Sequence, residues 1–246
     1  MITNAAAYHF VAIADPADIA ARVEEWARKH GLKGSVLVAV EGINLFLAGS
    51  EAGVDAFFDR LRQDPRLAGM RVKLSRSAAV PFKRLKVKVK PEIISFRMRG
   101  ASPLAGRAPA VAPPTLARWL ERGVDDDGRR VVLLDTRNRE EVAHGTFAQA
   151  LTLPIDNFTD LPHALAPHRE ALSDATVVSF CTGGIRCEKA ALWMHASGMH
   201  NVLQLDGGIL GYFEAVGQAH FEGRCFVFDE RVAVDARLAP LVDGTA

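Results

Sequence analysis

The chain is short of cysteine, with three thiols in 246 residues at Cys181, Cys187 and Cys225. None stands in a close metal-ligand pair, which argues against a disulfide framework and against a structural zinc site. Long apolar runs are also missing: no stretch approaches the roughly 18 residues of a membrane span. The start, Met1-Ile2-Thr3-Asn4, lacks the basic residues and apolar core of a signal peptide. Together these absences predict a soluble, cytoplasmic protein with reduced thiols and no membrane partner. An excess of one charge is lacking too, with 30 Lys and Arg against 29 Asp and Glu, so net charge names no partner. The histidines at 9, 30, 144, 163, 168, 195, 200 and 220 show no ligand spacing. No metal site is expected, and no flavin or other cofactor motif is recognisable.

The most informative stretch runs from Val177 to Ala190, Val-Val-Ser-Phe-Cys-Thr-Gly-Gly-Ile-Arg-Cys-Glu-Lys-Ala. Val177 to Phe180 reads as a strand buried on both faces. Gly183 and Gly184 both supply backbone freedom for a tight turn, and a helix follows from Glu188 toward its stop at Gly198. Cys181 then lies at a strand end, facing the loop N–H groups and the positive end of a helix, where anions are stabilised. Its thiol should ionise below the ordinary value of roughly 8.5, and Arg186 adds a permanent cation. Thr182, Gly183, Gly184, Ile185 and Arg186 complete the active-site loop. A reactive role requires a sulfur open to solvent rather than sealed inward. Four residues separate Cys181 from Arg186, one fewer than in cysteine-dependent phosphatases. The smaller ring suits one extra sulfur atom, a cysteine persulfide, and here the chain begins to resemble the rhodanese superfamily. Cys187 falls on the first helical turn and reads either as a core residue or as a redox partner of Cys181.

The N-terminal half reads as strand, helix, two strands, helix, strand: residues 8–14, a helix from Asp15-Pro16 with Asp15 as its cap, a strand pair within 34–49 turning at Glu41-Gly42, a helix carrying Phe57 and Phe58, and the strand Met70 to Leu74. This β-α-β-β-α-β order is the ferredoxin-like pattern. The segment from Arg71 to Arg107 holds eleven Lys or Arg and one acid, Glu92. Within it Arg84, Lys86, Lys88 and Lys90 alternate with Leu85, Val87 and Val89, which puts the cations on one face of a strand. Such a row suits successive phosphates of RNA or protects a sheet edge from aggregation. Stacking platforms for bases are sparse, Phe82 and Phe96 being the candidates.

Residues 100–114, rich in Gly, Ala and Pro, read as a linker, with Thr115 capping the next helix. Beyond it, strands at 131–134, 150–153, 177–180 and 201–205 alternate with helices, including one over 163–172. This pattern predicts a parallel sheet with helices on both faces and active residues at the carboxyl ends of its strands. The fold class is therefore α/β, with an N-terminal ferredoxin-like α+β domain over 1–99 that includes the basic segment, the linker 100–114, a rhodanese-like domain over 115–222 and a tail over 223–246.

Asp135-Thr136-Arg137-Asn138-Arg139-Glu140-Glu141-Val142 and Asp206-Gly207-Gly208-Ile209 resemble two rhodanese signatures, read as structural: ion pairs and turns from Asp135, Arg137 and Glu141. The whole chain resembles a narrower group, the rhodanese-domain tRNA uridine-34 hydroxylases. The match rests on Cys181 to Ala190, on Ala39-Val40-Glu41-Gly42-Ile43-Asn44, and on Gly223-Arg224-Cys225-Phe226-Val227-Phe228-Asp229-Glu230-Arg231-Val232. The chain departs from the family at Leu45-Phe46, where Gly-Thr is usual. The resemblance implies oxygen-dependent conversion of the wobble uridine to 5-hydroxyuridine with Cys181 as the catalytic cysteine. Molecular oxygen and an unidentified electron donor are the implied co-reactants. It further implies the tRNA anticodon stem-loop as partner of Arg84, Lys86, Lys88 and Lys90, and Cys225 as a second possible redox partner beside a purely structural role. Two other activities fit the loop: a persulfide-forming sulfurtransferase and a non-catalytic rhodanese-like binding module.

Overall fold

The computed structural model describes residues 1–242, and the chain divides into two units. The first comprises 1–95 with 228–232 and 238–242; the second comprises 96–227 with 233–237. Among the described residues no helix is long and apolar enough to cross a membrane.

The first unit begins with β1 (Ile2–Phe10), α1 (Pro16–Lys29), β2 (Lys33–Ala39), β3 (Gly42–Gly49), α2 (Glu51–Leu61), β4 (Val72–Ser77) and β5 (Leu85–Val89). β1 starts six residues earlier than its hydrophobicity suggests. Its Thr3-Asn4-Ala5-Ala6-Ala7 run has little strand propensity, but it pairs with β3 on one side and β4 on the other, and tertiary pairing overrides propensity. Pro16 opens α1 as expected, yet Asp15 makes no capping hydrogen bond. Its carboxylate is drawn to the guanidinium of Arg66 instead, at 2.5 Å. Ser50 is the true cap of α2, accepting from the Gly53 N–H at 3.1 Å and satisfying one open helix donor.

Sheet order is β4-β1-β3-β2-β5. The first four strands are antiparallel neighbours in ferredoxin-like order, and β5 adds parallel to β2. Ile19, Val23, Val54 and Phe57 of the helices bury against Val36, Val38, Ile43, Leu45 and Leu47 of the sheet. Leu45, one of the two departures from the family, is wholly inside this core. The Glu41-to-Asn44 motif anchors the chain that follows β5: Glu41 accepts from the Ile93 N–H at 2.8 Å, and the Asn44 side chain donates to the Ile93 carbonyl at 3.2 Å.

The second unit contains β6 (Ala110–Val111), α3 (Pro113–Arg122), β7 (Val131–Asp135), α4 (Arg139–Val142), β8 (Gly145–Phe147), β9 (Leu151–Thr152), α5 (Leu161–Leu165), β10 (Thr176–Phe180), α6 (Ile185–Ala196), β11 (Val202–Leu205), α7 (Gly208–Ala215), β12 (Phe221–Gly223), β13 (Cys225–Phe226) and β14 (Ala233–Val234). Its five-stranded sheet, β6-β11-β10-β7-β9, is parallel throughout. The segment read as a linker thus carries an edge strand, because Ala110 and Val111 pair with Gln204 and Leu205. Thr115 is not a cap: α3 starts at Pro113, where a residue without an N–H costs nothing. The helix expected over 163–172 is α5 followed by two short 3-10 turns. Phe96, a candidate stacking platform, is buried and lies flat on Phe158 with ring centroids 4.3 Å apart.

Candidate active site

Cys181 follows β10 directly, at the carboxyl end of the middle strand of the parallel sheet. The loop turns on one glycine rather than two. Gly184, at φ 100°, occupies the left-handed region and caps α6, where an L side chain is strained. Gly183 has an ordinary φ, and a Cβ built there meets nothing within 4 Å.

The loop is held from outside by the start of α7. The N–H groups of Ile209 and Leu210 donate to the carbonyls of Cys181 and Thr182 at 2.9 and 3.0 Å. With those carbonyls turned outward, the N–H of Gly184 donates to the Cys181 sulfur at 3.2 Å. Gly208 makes the close approach possible, since a Cβ there would lie 2.5 Å from the Cys181 carbonyl oxygen and 2.7 Å from the Gly184 nitrogen. The Asp206-Gly207-Gly208-Ile209 run therefore shapes the active loop itself.

Arg186 turns away from solvent. Its guanidinium grips Glu141 with two hydrogen bonds, at 2.7 and 3.0 Å, and both side chains are buried. Thr182 lies against the same carboxylate at 3.5 Å, while Ile185 is half-buried. A second buried pair stands behind: Arg137 binds Asp135 at 2.6 and 2.9 Å and also donates to the Gly145 carbonyl at 2.7 Å. These are the ion pairs expected of the first signature, with Glu141 matched to Arg186 across the loop.

The Cys181 sulfur is sealed, with the residue 1 % exposed, against the expectation of an open thiol. The peptide groups that favour its ionisation also wrap it, so a substrate reaches it only when the loop or its surroundings give way. Burial by itself would push this thiol up. The hydrogen bond with Cys187, the Arg186 charge and the N–H groups of Arg186 and Gly184 outweigh burial and bring it down to about 6. Cys181 is thus largely thiolate at neutral pH, and ionised sulfur is the nucleophilic form.

The structure brings both other cysteines to this loop, Cys187 beside the Cys181 sulfur and Cys225 beside Thr182. Cys187, in the first turn of α6, is buried beside Thr136, its sulfur 3.7 Å from the threonine hydroxyl. Burial, then the bond and charge of Cys181, raise the Cys187 thiol. Cys225 lies on β13 and shares a hydrogen bond with Thr182, and burial pushes it up to about 12. Arg84, Lys86, Lys88 and Lys90 are all exposed on and around β5, while Leu85 and Val87 pack against the first unit's core. The alternation fails at Val89, which is exposed as well.

A thiol bound by a loop amide at the end of the middle strand of a parallel sheet is the arrangement of a rhodanese-like domain. Two family matches agree with this fold: residues 2–93 match the UPF0176 acylphosphatase like domain and residues 116–215 the Rhodanese-like domain. The chain is 69 % identical over 246 residues to a "tRNA uridine(34) hydroxylase" of Xanthomonas campestris pv. campestris (strain 8004), covering 100 % of this chain and 97 % of that protein. It is 68 % identical over 243 residues to the protein of that name from Xanthomonas euvesicatoria pv. vesicatoria (strain 85-10), covering 99 % and 98 %. Against that of Xylella fastidiosa (strain 9a5c) the identity is 60 % over 243 residues, covering 99 % and 95 %. The chain belongs to the tRNA uridine(34) hydroxylase family.

Proposed function

We propose that this protein hydroxylates uridine 34 of tRNA, giving 5-hydroxyuridine, with the Cys181 thiolate as its nucleophile. The observation that carries the reading is identity of 60 to 69 % along essentially the whole chain with proteins named for that activity. The geometry supports it with a sulfur whose ionisation is brought down to about 6, in a loop of four residues between Cys181 and Arg186. The substrate is the anticodon stem-loop, held through its phosphates by Arg84, Lys86, Lys88 and Lys90, whose exposure on a sheet edge suits a polyanion. The oxygen atom comes from dioxygen, the remaining electrons from a donor, and the reaction runs in the cytoplasm.

The test is mass spectrometry of tRNA nucleosides from cells whose only copy of the gene carries Cys181→Ser. The expected result is a folded protein and loss of 5-hydroxyuridine made by this route; unchanged modification rules the function out. The small ring also fits a persulfide, so the same variant is assayed with thiosulfate and a thiol acceptor. Fast wild-type turnover indifferent to tRNA favours a sulfurtransferase instead.

A further inference from the structure

Hydroxylation by dioxygen leaves an electron deficit. Inserting one oxygen atom into the C5–H bond uses two of the four electrons that dioxygen accepts, and two more must come from elsewhere. Beside the reactive sulfur is a group the reaction as described does not use. Cys187 is one of three free thiols, wholly buried, and buried cysteines are more often inert packing. Its position is unlike plain packing.

Cys187 is the third residue of α6, and helical side chains lean toward the helix N-terminus. That direction turns its sulfur toward the loop in which the Cys181 sulfur accepts from Gly184, and the two thiols share a hydrogen bond. Thr136 links Cys187 to the end of the strand that leads into Cys181. Its hydroxyl donates to the carbonyl of Phe180, the residue before Cys181, at 2.9 Å, and lies 3.7 Å from the Cys187 sulfur. With the hydroxyl proton committed to Phe180, Cys187 is left as the donor in any bond to Thr136 or Cys181. Cys187 bonds to Ser179 as well as to Cys181, whereas Cys225 bonds to Thr182 and to its own neighbour Phe226.

We propose that Cys181 and Cys187 are a dithiol pair that supplies the two missing electrons, closing to a disulfide once per hydroxylation. The proposal rests on the function given above. In balance, uracil C5–H, dioxygen and two thiols give C5–OH, water and one Cys181–Cys187 disulfide. The O–O bond breaks, with one oxygen going to C5. The other leaves as water with two protons, counting the one Cys181 has already released to solvent. The two sulfurs are each oxidised by one electron, and the S–S bond forms between them. An external dithiol then restores the pair by thiol–disulfide exchange.

The experiment is a single turnover. Full-length protein is reduced, freed of reductant and mixed in air with unmodified tRNA, after which 5-hydroxyuridine, free thiols and disulfide-linked peptides are measured. The expected result is at most one 5-hydroxyuridine per chain, with two thiols consumed for each, a Cys181–Cys187 peptide, and resumed turnover on adding dithiothreitol. Cys187→Ala and Cys187→Ser, checked for folding by thermal melting, should lower the single-turnover yield at least tenfold. Product without the disulfide, or variants as productive as the wild type without reductant, overturns the proposal and leaves the function standing. No 5-hydroxyuridine from wild type even with excess dithiothreitol overturns both.

Discussion

Replacing Gly208 by alanine tests whether α7 shapes the thiol loop. The residue sits at φ 62°, and its Cβ would fall 2.5 Å from the Cys181 carbonyl oxygen, 2.7 Å from the Gly184 nitrogen and 2.9 Å from the Gly183 carbonyl carbon. All three are backbone atoms, so no side chain can rotate aside. The left-handed conformation costs an L residue about 1–2 kcal/mol, and forcing extra volume into a packed site costs about 1–3 kcal/mol. Gly208→Ala should therefore destabilise the protein by about 2–5 kcal/mol. Relief of the clash pushes the start of α7 away, lengthening the bonds from Ile209 and Leu210 to the loop carbonyls. The amides around the sulfur then lose their aim, and the Cys181 thiol should titrate above its present value of about 6. Urea denaturation reads the first effect, and the pH dependence of iodoacetamide labelling at Cys181 reads the second. Gly183→Ala is the control in the same loop: with open space and an ordinary φ, it should stay within about 0.5 kcal/mol of wild type. A wild-type midpoint for Gly208→Ala, or an equal loss for Gly183→Ala, would refute the packing argument.

Glu141→Gln strips the buried partner of Arg186, and breaking such a pair costs about 3–5 kcal/mol. The unbalanced guanidinium also favours the thiolate, so labelling of Cys181 in any folded fraction should shift to lower pH. In the wild type, the labelling rate should rise through pH 6 and level off above pH 7, following a thiol at about 6. Because this folded value lies below the unfolded one of roughly 8.5, ionisation of Cys181 adds stability fully present above the unfolded value. That stability is lost as pH falls through 6; the difference in unfolding free energy between wild type and Cys181→Ala, measured from pH 5 to 9, should grow accordingly. Replacing Arg84, Lys86, Lys88 and Lys90 together by serine should weaken tRNA binding. The slope of log affinity against log salt should shrink by about 0.7–0.9 for each phosphate no longer neutralised; unchanged affinity would make the row edge protection only.

What the sequence exposed was local. The strand–loop–helix around Cys181 is contiguous, so apolar run, glycine and helix start appear together, and the alternation at 84–90 has the period of a strand. What it hid was distant or negative in character. Glu141 and Arg186 are 45 residues apart, and nothing in either neighbourhood announces their pairing. Gly208 belongs to a run that reads only as structural, because its constraint is the backbone of another loop. β1 is longer than its pattern because an alanine-rich strand is made by its two neighbours, and β6 leaves no periodic trace because it is two residues with a parallel partner. Arg66 takes Asp15 from its capping role, a competition between side chains that capping rules do not see. Phe96 reads as a surface ring beside basic residues, yet it is committed to Phe158 and Trp193.

The buried charges around the sulfur limit what can make it acidic. Arg186 is matched by Glu141 and Arg137 by Asp135, each at hydrogen-bonding distance. Two cations and two carboxylates balance, so the thiolate is one anion more than the buried cluster can neutralise. Arg186 still helps through its direction and proximity, but its field is divided with Glu141. Donors aimed at the sulfur must therefore carry much of the ionisation: the N–H groups of Gly184 and Arg186 and the Cys187 thiol. Directed hydrogen bonds to an anion are stronger than neutral ones, and they depend on angle as well as distance. The acidity of Cys181 is thus tied to loop shape as well as to the Arg186 charge.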